Sequence, residues 1–265
     1  MITFSVVTVT YQAADVLAPT LDSVLSQDYL DVEHIIVDGA SQDGTMPMVM
    51  DYVSRSEEAD NGHQIIVSSE PDKGIYDAMN KGLSKATGDY VCFLNAGDRL
   101  PDDETLSRIA AVAESLADGQ LPAVLYGDTD IVDSEGRFLY HRRLSPPDRL
   151  TWKSFRLGML VCHQAFYARV DIAKGVRFDI RYRFSADVDW CIRVMKEAER
   201  RHLRMLRVSG VVAHYLEEGQ TTQNHQRSLR ERFKVMASHY GLCTTIAMHG
   251  WFVLRAIGRK IKNKG

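Results

Sequence analysis

The chain has 265 residues, 45% of them hydrophobic and 25% charged, which is the ordinary composition of a globular protein. Its net charge of −3 argues against a nucleic-acid partner, because no overall positive field would attract one. The four cysteines, at positions 92, 162, 191 and 243, are too few for a disulfide framework and too widely spaced for a Cys-x-x-Cys metal site. We therefore expect a protein of a reducing compartment.

The first hundred residues alternate between strand and helix patterns. β-branched apolar runs predict strands at 2–10, 34–38, 64–69 and 89–95, and helical spacing predicts helices at 15–27, 45–55 and 75–86. This alternation predicts an α/β fold with a parallel sheet covered by helices on both faces. The first strand lacks the basic lead and long apolar core of a signal peptide, and no run of eighteen apolar residues predicts a membrane span.

The second half of the chain has a less regular pattern. It predicts a helix at 103–117, a hairpin within 130–143 that turns at 134–136, and a strand at 159–169, followed by a helix at 185–200, a strand or strand pair at 204–215 and a helix at 223–240. We expect one domain over 1–240, with 101–240 built onto the sheet of 1–100, and a basic amphipathic helix over 241–265.

Several common sequence signatures are missing. The first strand is not followed by G-x-G-x-x-G, and the chain has neither a G-x-x-x-x-G-K-[ST] phosphate loop nor a G-x-S-x-G elbow. These absences argue against a dinucleotide-binding fold, a P-loop enzyme and a serine hydrolase.

Polar residues follow the predicted parallel strands where each one ends. Thr10-Tyr11, Asp38, Glu70 and the stretch from Asn95 to Asp98 occupy these positions. In open α/β sheets ligands bind beyond the carboxyl ends of the strands, so we expect one shared crevice. The stretch FLNAGD, residues 93–98, is equally consistent by itself with a turn that ends a strand and with a metal site.

Four segments in a fixed order resemble a known family. TVTYQAADVLAPTLDSVLSQ, IIVDGASQDGT, EPDKGIYDAMNKGLSKATGDYVCFLNAGD and FSADVDWCIRV together are similar to family 2 glycosyltransferases of the GT-A fold, in the bacterial polysaccharide-assembly branch. The resemblance covers most of residues 3–215. It implies a GT-A-like fold, a nucleotide-sugar donor, a divalent cation (Mn²⁺ or Mg²⁺) and transfer with inversion.

The resemblance assigns the cation to the end of the fourth strand. Family members usually present Asp-x-Asp there, whereas this chain has Gly97 at the second acidic position and Asp98 after it. We predict that Asp98 binds the metal, directly or through water, with Asn95 assisting. His214, at the end of a later strand, is a second candidate for reaching the metal or the diphosphate.

The donor nucleotide has its own predicted contacts. The resemblance places Asp38, Thr8 and Tyr11 at the base and ribose, and an aromatic ring can stack on a planar base. Core or rim packing is the alternative for Thr8 and Tyr11. The resemblance also implies donor contacts for Asp72, Lys73 and Asp77, although Asp77 and Lys81 are spaced to form a simple surface ion pair.

An acceptor hydroxyl needs a general base on the face opposite the leaving group. If Ser185 caps a helix, Asp187 and Asp189 point about 200° apart, so only one can face the crevice. The resemblance selects Asp187. It also implies roles near the acceptor or donor sugar for His163 and Gln164, for which hydrogen bonding in the core is the alternative. Trp190 is a further acceptor-side candidate, and packing in the core is its alternative.

The C-terminal segment combines apolar and basic residues. Trp251, Phe252, Val253 and Leu254 precede five Lys and Arg residues from Arg255 onward, without an acid among them. A helix of this kind suits an anionic membrane surface, and a packed terminal helix with a solvated basic end is the alternative.

The resemblance, together with these residues, predicts an inverting glycosyltransferase of cell-surface polysaccharide synthesis. It would move a hexose-type sugar from a nucleotide diphosphate, for which the resemblance favours UDP, to a glycan or lipid-linked saccharide. We expect a cytoplasmic enzyme, peripheral on the inner face of the membrane. A sugar-phosphate nucleotidyltransferase is one alternative, and the missing acid at Gly97 keeps open a catalytically degenerate nucleotide-sugar-binding partner.

Overall fold

The computed structural model describes residues 1–217 and 225–262, with side chains for 1–217 and 226–255. Its first half alternates as predicted. The elements are β1 (Phe4–Thr10), α1 (Ala14–Leu25), β2 (Val32–Asp38), α2 (Thr45–Ala59), β3 (Gln64–Ser69), α3 (Ile75–Lys85) and β4 (Tyr90–Phe93). The main difference is that β4 ends at Phe93, two residues earlier than predicted.

The second half supplies the remaining strands and helices. They are α4 (Thr105–Glu114), β5 (Val124–Val132), β6 (Phe138–His141), β7 (Phe166–Arg169), α5 (Val170–Ala173), α6 (Ala186–Arg200), β8 (Met205–Leu216), α7 (His225–Tyr240) and α8 (Leu242–Lys262). The strand predicted over 159–169 was wrong in its first part, because His163–Ala165 forms a short 3-10 turn. The predicted loop and helix start at 218–224 lie outside the described residues.

All described strands belong to one eight-stranded sheet. The order is β3-β2-β1-β4-β7-β5-β6, and β8 pairs with β5. β1 to β4 are mutually parallel, β7 runs antiparallel to both β4 and β5, and β8 is parallel to β5. Because β2 and β4 lie on opposite sides of β1, the connection reverses there and a crevice opens beyond the strand ends.

The core holds these strand ends in place. Every residue of β1 and β2 is buried, and each fully buried Val, Ile or Phe contributes about 1.5–3 kcal/mol. α3 lies very close to β1 because Gly82 has no side chain: a Cβ there would come within 2.3 Å of Val7 Cγ1. The central parallel strands therefore present their carboxyl ends from a rigid platform.

The end of β8 reaches back to the segment that follows β4. Arg99 and His214 form an antiparallel bridge, with Arg99 N donating to His214 O at 3.0 Å and His214 N donating to Arg99 O at 2.8 Å. The second half of the chain thus closes one side of the crevice. None of the described helices combines the length and apolar character that crossing a bilayer requires.

Candidate active site

Asp38 ends β2 with one of its carboxylate oxygens unpaired. Ser69 Oγ donates to Asp38 Oδ2 at 2.6 Å, and Ser41 N donates to the same oxygen at 2.9 Å. Oδ1 is buried and has no hydrogen-bond partner. Because a buried unpaired acceptor is costly, this oxygen is suited to receive an N–H or O–H from a ligand.

Tyr11, Gly39 and Asp72 meet beside Asp38. A Cβ at Gly39 would lie 2.7 Å from Asp72 Oδ2 and 3.1 Å from Tyr11 Cδ2, so glycine is needed for this close approach. Gly74 N donates to Asp72 Oδ1 at 2.7 Å and fixes that carboxylate. The Tyr11 ring is 63% exposed, which leaves it free to stack on a planar ligand.

Thr8 does not share this surface. It is fully buried, and its Oγ1 lies 2.9 Å from His34 Nε2, while His34 Nδ1 lies 2.6 Å from Tyr52 OH. Burial lowers the pKa of His34 to about 3, so its ring is neutral. The expected nucleotide contact for Thr8 is therefore corrected to a hydrogen bond within the core.

Lys73 and Asp77 lie at the start of α3. Asp77 Oδ2 accepts a hydrogen bond from Lys73 N at 3.0 Å, which satisfies a backbone donor at the helix start. One oxygen of Asp77 is thus held at the helix terminus, and its contact with the donor stays a prediction. Its suggested partner Lys81 instead donates to Pro71 O at 2.7 Å and pairs with Glu70 at 3.1 Å. Lys73 is exposed.

Asp98 is buried with both carboxylate oxygens accepting hydrogen bonds. Gln164 Nε2 donates to Oδ2 at 2.7 Å, and Leu216 N donates to Oδ1 at 3.2 Å. Burial raises the pKa of Asp98 to about 6, against the lowering effect of Gln164 and of the nearby His163. The group therefore changes its charge close to neutral pH.

Gly97 explains why the usual second acid is missing at this position. Its φ is +97°, and a Cβ there would lie 2.6 Å from Leu216 Cδ2. Gly97 N donates to Thr20 Oγ1 at 2.9 Å, so α1 also holds the loop. A carboxylate at residue 97 is incompatible with this backbone and with the position of Leu216.

A hydrogen-bonded chain runs from Asn95 through His163 to Asp187. Asn95 Nδ2 lies 3.2 Å from His163 Nε2, and His163 Nδ1 lies 3.4 Å from Asp187 Oδ2. This arrangement fits a ring that accepts at Nε2 and donates from Nδ1. Tyr76 OH donates to Asp187 Oδ1 at 3.1 Å. The Oδ1 of Asn95 is buried and unpaired, so it is a second acceptor available to a ligand.

Asp187 and Asp189 face different surroundings, as expected for their spacing. Burial would raise the pKa of Asp187, but the hydrogen bond from His163 and the nearby charge of Arg232 lower it overall. Asp189 instead pairs with His239 Nε2 at 2.7 Å and with Arg193 Nε at 2.7 Å. Asp189 therefore joins α6 to α7, whereas Asp187 belongs to the chain that leads to Asn95.

Ser185 occupies the N-cap position of α6 but makes no side-chain capping bond. Its Oγ donates to Ser228 O at 3.3 Å, so it links α6 to α7 instead.

Trp190 packs in the core, whereas His214 is bridged to Arg99, the residue that follows Asp98. Trp190 is fully buried and stacks on Phe178 at a centroid distance of 4.8 Å, so its suggested contact with the acceptor is corrected to core packing. Burial lowers the pKa of His214. The role of His214 at the metal or the diphosphate stays a prediction.

The groups available to a divalent cation are few. The described residues contain no cluster of three or more His, Cys, Asp or Glu side chains that could hold a metal. Asp98 and the unpaired Oδ1 of Asn95 remain as oxygen donors on the same loop. This set fits a cation whose other positions are filled by phosphate oxygens and water, as is usual for Mg²⁺ at phosphate sites.

Four residues of the candidate site were not predicted from the sequence. Tyr76 donates a hydrogen bond to Asp187, and Arg232 lowers the pKa of Asp187. Ser69 donates a hydrogen bond to Asp38, and Gly39 allows Asp72 and Tyr11 to approach closely. Tyr76 and Gly39 stand inside two of the motifs quoted above, but their contacts join segments that are distant in sequence. Nothing in the pattern marks Ser69 or Arg232.

The mixed sheet and the acids beyond its parallel strands define a GT-A type transferase fold. The structure is similar to that of Staphylococcus aureus TarS residues 1–349 in complex with UDP-GlcNAc. Their TM-score is 0.68 at 18% identity, over 95% of this chain and 71% of that one. It is also similar to the mannosyltransferase PcManGT from Pyrobaculum calidifontis in complex with GDP-Man and Mn²⁺, with a TM-score of 0.61 at 19% identity, over 98% and 80% of the two chains.

Sequence comparison identifies the family. The sequence model described as glycosyl transferase family 2 matches residues 5–176, and the chain belongs to this family. A PGL/p-HBAD biosynthesis glycosyltransferase of Mycobacterium bovis is 34% identical over 191 residues, which are 72% of this chain and 68% of the relative. The amylovoran biosynthesis glycosyltransferase AmsB of Erwinia amylovora is 31% identical over 199 residues, which are 74% and 64% of the two chains.

Proposed function

We propose that this glycosyltransferase moves a sugar, with inversion, from a nucleoside diphosphate to a hydroxyl of a glycan or lipid-linked saccharide in cell-surface polysaccharide synthesis. One observation supports the proposal most: the consecutive residues His163 and Gln164 contact the two acids that glycosyl transfer requires. His163 contacts Asp187, the proposed base, and Gln164 contacts Asp98, the proposed ligand of the cation at the diphosphate. The proposed base and the proposed metal ligand are therefore joined through one short turn.

Asp187 is the general base in this proposal. Its lowered pKa keeps it ionised at neutral pH, so it is ready to take the proton of the acceptor hydroxyl as the new bond forms. Tyr76 and His163 hold the carboxylate through one oxygen each. Inversion requires the base opposite the departing diphosphate, as in inverting glycosidases.

The nucleotide is assigned to the surface formed by Asp38, Tyr11 and Asp72. The unpaired Oδ1 of Asp38 would accept the imide N–H of a uracil base, and Tyr11 would stack on the ring. A TarS structure that contains UDP-GlcNAc supports uridine as the first donor to test. The exposed Lys73 is assigned to the diphosphate as a mobile positive charge.

A divalent cation is part of the proposal. Asp98 and Asn95 would hold it, and when bound it neutralises charge on the diphosphate that leaves. The Mn²⁺ in the PcManGT complex supports this choice. We place the enzyme in the cytoplasm as one catalytic domain over residues 1–240.

The test is donor turnover by the full chain and by Asp187→Asn. Nucleotide sugars are first screened by thermal shift with and without Mn²⁺, and the donor that binds is then assayed for release of nucleoside diphosphate. Asp187→Asn should retain the thermal shift and lose about 10²- to 10⁴-fold in turnover, the usual contribution of a general base. Release of pyrophosphate would indicate a nucleotidyltransferase instead, and binding without any turnover would indicate a degenerate partner protein.

A further inference from the structure

One face of α8 is apolar, exposed and free of charge. Leu242, Ile246, Val253 and Leu254 fall within about 120° of one another at 100° per residue, and all four are exposed. Cys243 and Gly250 lie between them on this face and Ala247 lies at its edge, and all three are also exposed and uncharged. Such a face on a surface helix is unusual unless it has a partner.

The opposite face of α8 is packed against the rest of the protein. Thr245 is fully buried, and the ring of His249 lies against Phe233 of α7 at a centroid distance of 4.9 Å. α7 is in turn tied to α6 by the pair between His239 and Asp189. The exposed face is therefore held at a fixed place on the catalytic domain and is not an undocked helix.

Positive charge lies beyond one edge of this face. Arg255 is about 100° around α8 from Leu254. On the same side of the helix, Lys153 and Arg156 lie across a shallow cleft whose walls include Met248 and Leu157. Neither Lys153 nor Arg156 has an ion-pair partner among the residues whose side chains are described.

The charge of the chain is strongly divided at α8. Residues 242–265 contain five of the 32 Lys and Arg residues and none of the 35 Asp and Glu residues, so their net charge is +5 and that of residues 1–241 is −8. A dimer that paired two such faces would bring two positive segments together. An anionic lipid surface complements the face in both respects, because it offers an apolar interior behind a layer of negative phosphates.

We propose that α8 docks the protein on the surface of an anionic bilayer. Leu242, Ile246, Val253 and Leu254 enter the boundary between headgroups and acyl chains, and Lys153, Arg156 and Arg255 face the lipid phosphates. The helix lies in the plane of the membrane. The inference does not depend on the proposed glycosyl transfer, because it concerns a different surface and a different ligand.

The experiment is vesicle flotation of the full chain. Vesicles of phosphatidylcholine alone are compared with vesicles that contain 30% phosphatidylglycerol, and Leu254→Glu is compared with Leu30→Glu. Both leucines are exposed, at 64% and 59%, so both variants should fold, which a thermal melt checks. Leu30 follows α1, far along the chain from α8, and it provides the same substitution elsewhere on the surface.

The full chain and Leu30→Glu should float with the anionic vesicles only. Leu254→Glu should lower the partition coefficient by about ten-fold or more. The double variant Lys153→Gln and Arg156→Gln should lower it by roughly five-fold for each cation removed, and added salt should have a similar effect.

Three results would overturn the inference. They are equal binding to both kinds of vesicle, equal loss of binding in the two glutamate variants, and a dimer in light scattering that Leu254→Glu dissociates while no vesicle is bound. The last result would assign the face to a second copy of the chain.

Discussion

Replacing Asp98 by asparagine should make the protein more stable at neutral pH while impairing its proposed function. Asp98 is buried, and burial raises its pKa from the usual 3.8 to about 6. The folded state therefore prefers the protonated form more strongly than the unfolded state does. Asparagine has nearly the same shape and cannot ionise, so it removes the cost of burying an ionised carboxylate, and with it the negative charge that a cation would need.

The magnitude and its sign follow from proton linkage. Well below pH 3.8 Asp98 is protonated in both states, and it adds nothing to the pH dependence. As pH rises from 3.8 to about 6 the unfolded chain loses the proton first, so the free energy of unfolding falls. The total is roughly 3 kcal/mol at 1.36 kcal/mol for each pH unit. For a chain of this size that corresponds to about 6–12 °C in Tm.

The measurement is urea unfolding of the wild type and of Asp98→Asn from pH 4 to pH 7. The difference between their free energies of unfolding should move by roughly 2.4 kcal/mol in favour of the variant across this range, because part of the total is already present at pH 4. A constant offset is expected as well, because either Leu216 N or Gln164 Nε2 loses its acceptor. Only the pH-dependent part is diagnostic.

Asp43→Asn is the control for the sign. Hydrogen bonds from Thr45 lower the pKa of Asp43, so wild-type stability from this group is present above the usual pKa and is lost as pH falls. The difference between Asp43→Asn and the wild type should therefore drift in the opposite direction below about pH 3.8, and stay nearly constant from pH 4 to pH 7. A flat difference for Asp98→Asn from pH 4 to pH 7 would show that Asp98 is not buried as described, and the cation assignment would lose its basis.

Three further outcomes are expected. Gly97→Asp should lower the free energy of unfolding by about 1–3 kcal/mol, because the new Cβ would overlap Leu216. The variant should not bind the donor more tightly in the presence of Mn²⁺. A gain in metal affinity, measured by titration calorimetry, would contradict this. Gly39→Ala should weaken nucleotide binding with little change in Tm, because the new Cβ would press on Asp72 beside the proposed nucleotide surface. Unchanged nucleotide affinity in the same titration would contradict the assignment of the nucleotide to that surface. Asp189→Asn should lower Tm by roughly 3–12 °C, because its bonds to His239 of α7 and to Arg193 become weaker. Turnover per folded enzyme should stay near that of the wild type. A loss of turnover as large as that of Asp187→Asn would refute the different roles assigned to the two acids.

The sheet could be predicted from sequence because its signals are local and strong. β3 was placed at both ends correctly, since QIIVSS is an apolar β-branched run between polar segments. The carboxyl ends of the parallel strands then follow from topology, so Asp38 and Asp98 could be named in advance. The division between Asp187 and Asp189 also follows from helix geometry, because residues two apart on a helix point about 200° away from each other.

The direction of a side chain at a strand or helix end is set by contacts that are distant in sequence. Thr8 alternates with its neighbours along β1, but only the arrival of His34 and Tyr52 shows that its hydroxyl is satisfied in the core. Trp190 directly follows Asp189, yet its contacts with Phe93 and Phe178 show that it packs in the core. Such errors are expected wherever a polar or amphipathic group can be satisfied in more than one way.

The 3-10 turn at His163–Ala165 has a consequence for how this enzyme could change its substrate. Its first two residues contact Asp187 and Asp98, the acids proposed as the general base and the metal ligand. A three-residue turn, shorter than one α-helical turn, therefore sets the distance between the two carboxylates, and a change at one of them also affects the other. We therefore expect that relatives which accept larger or smaller sugars differ in the surrounding loops and keep the length of this turn.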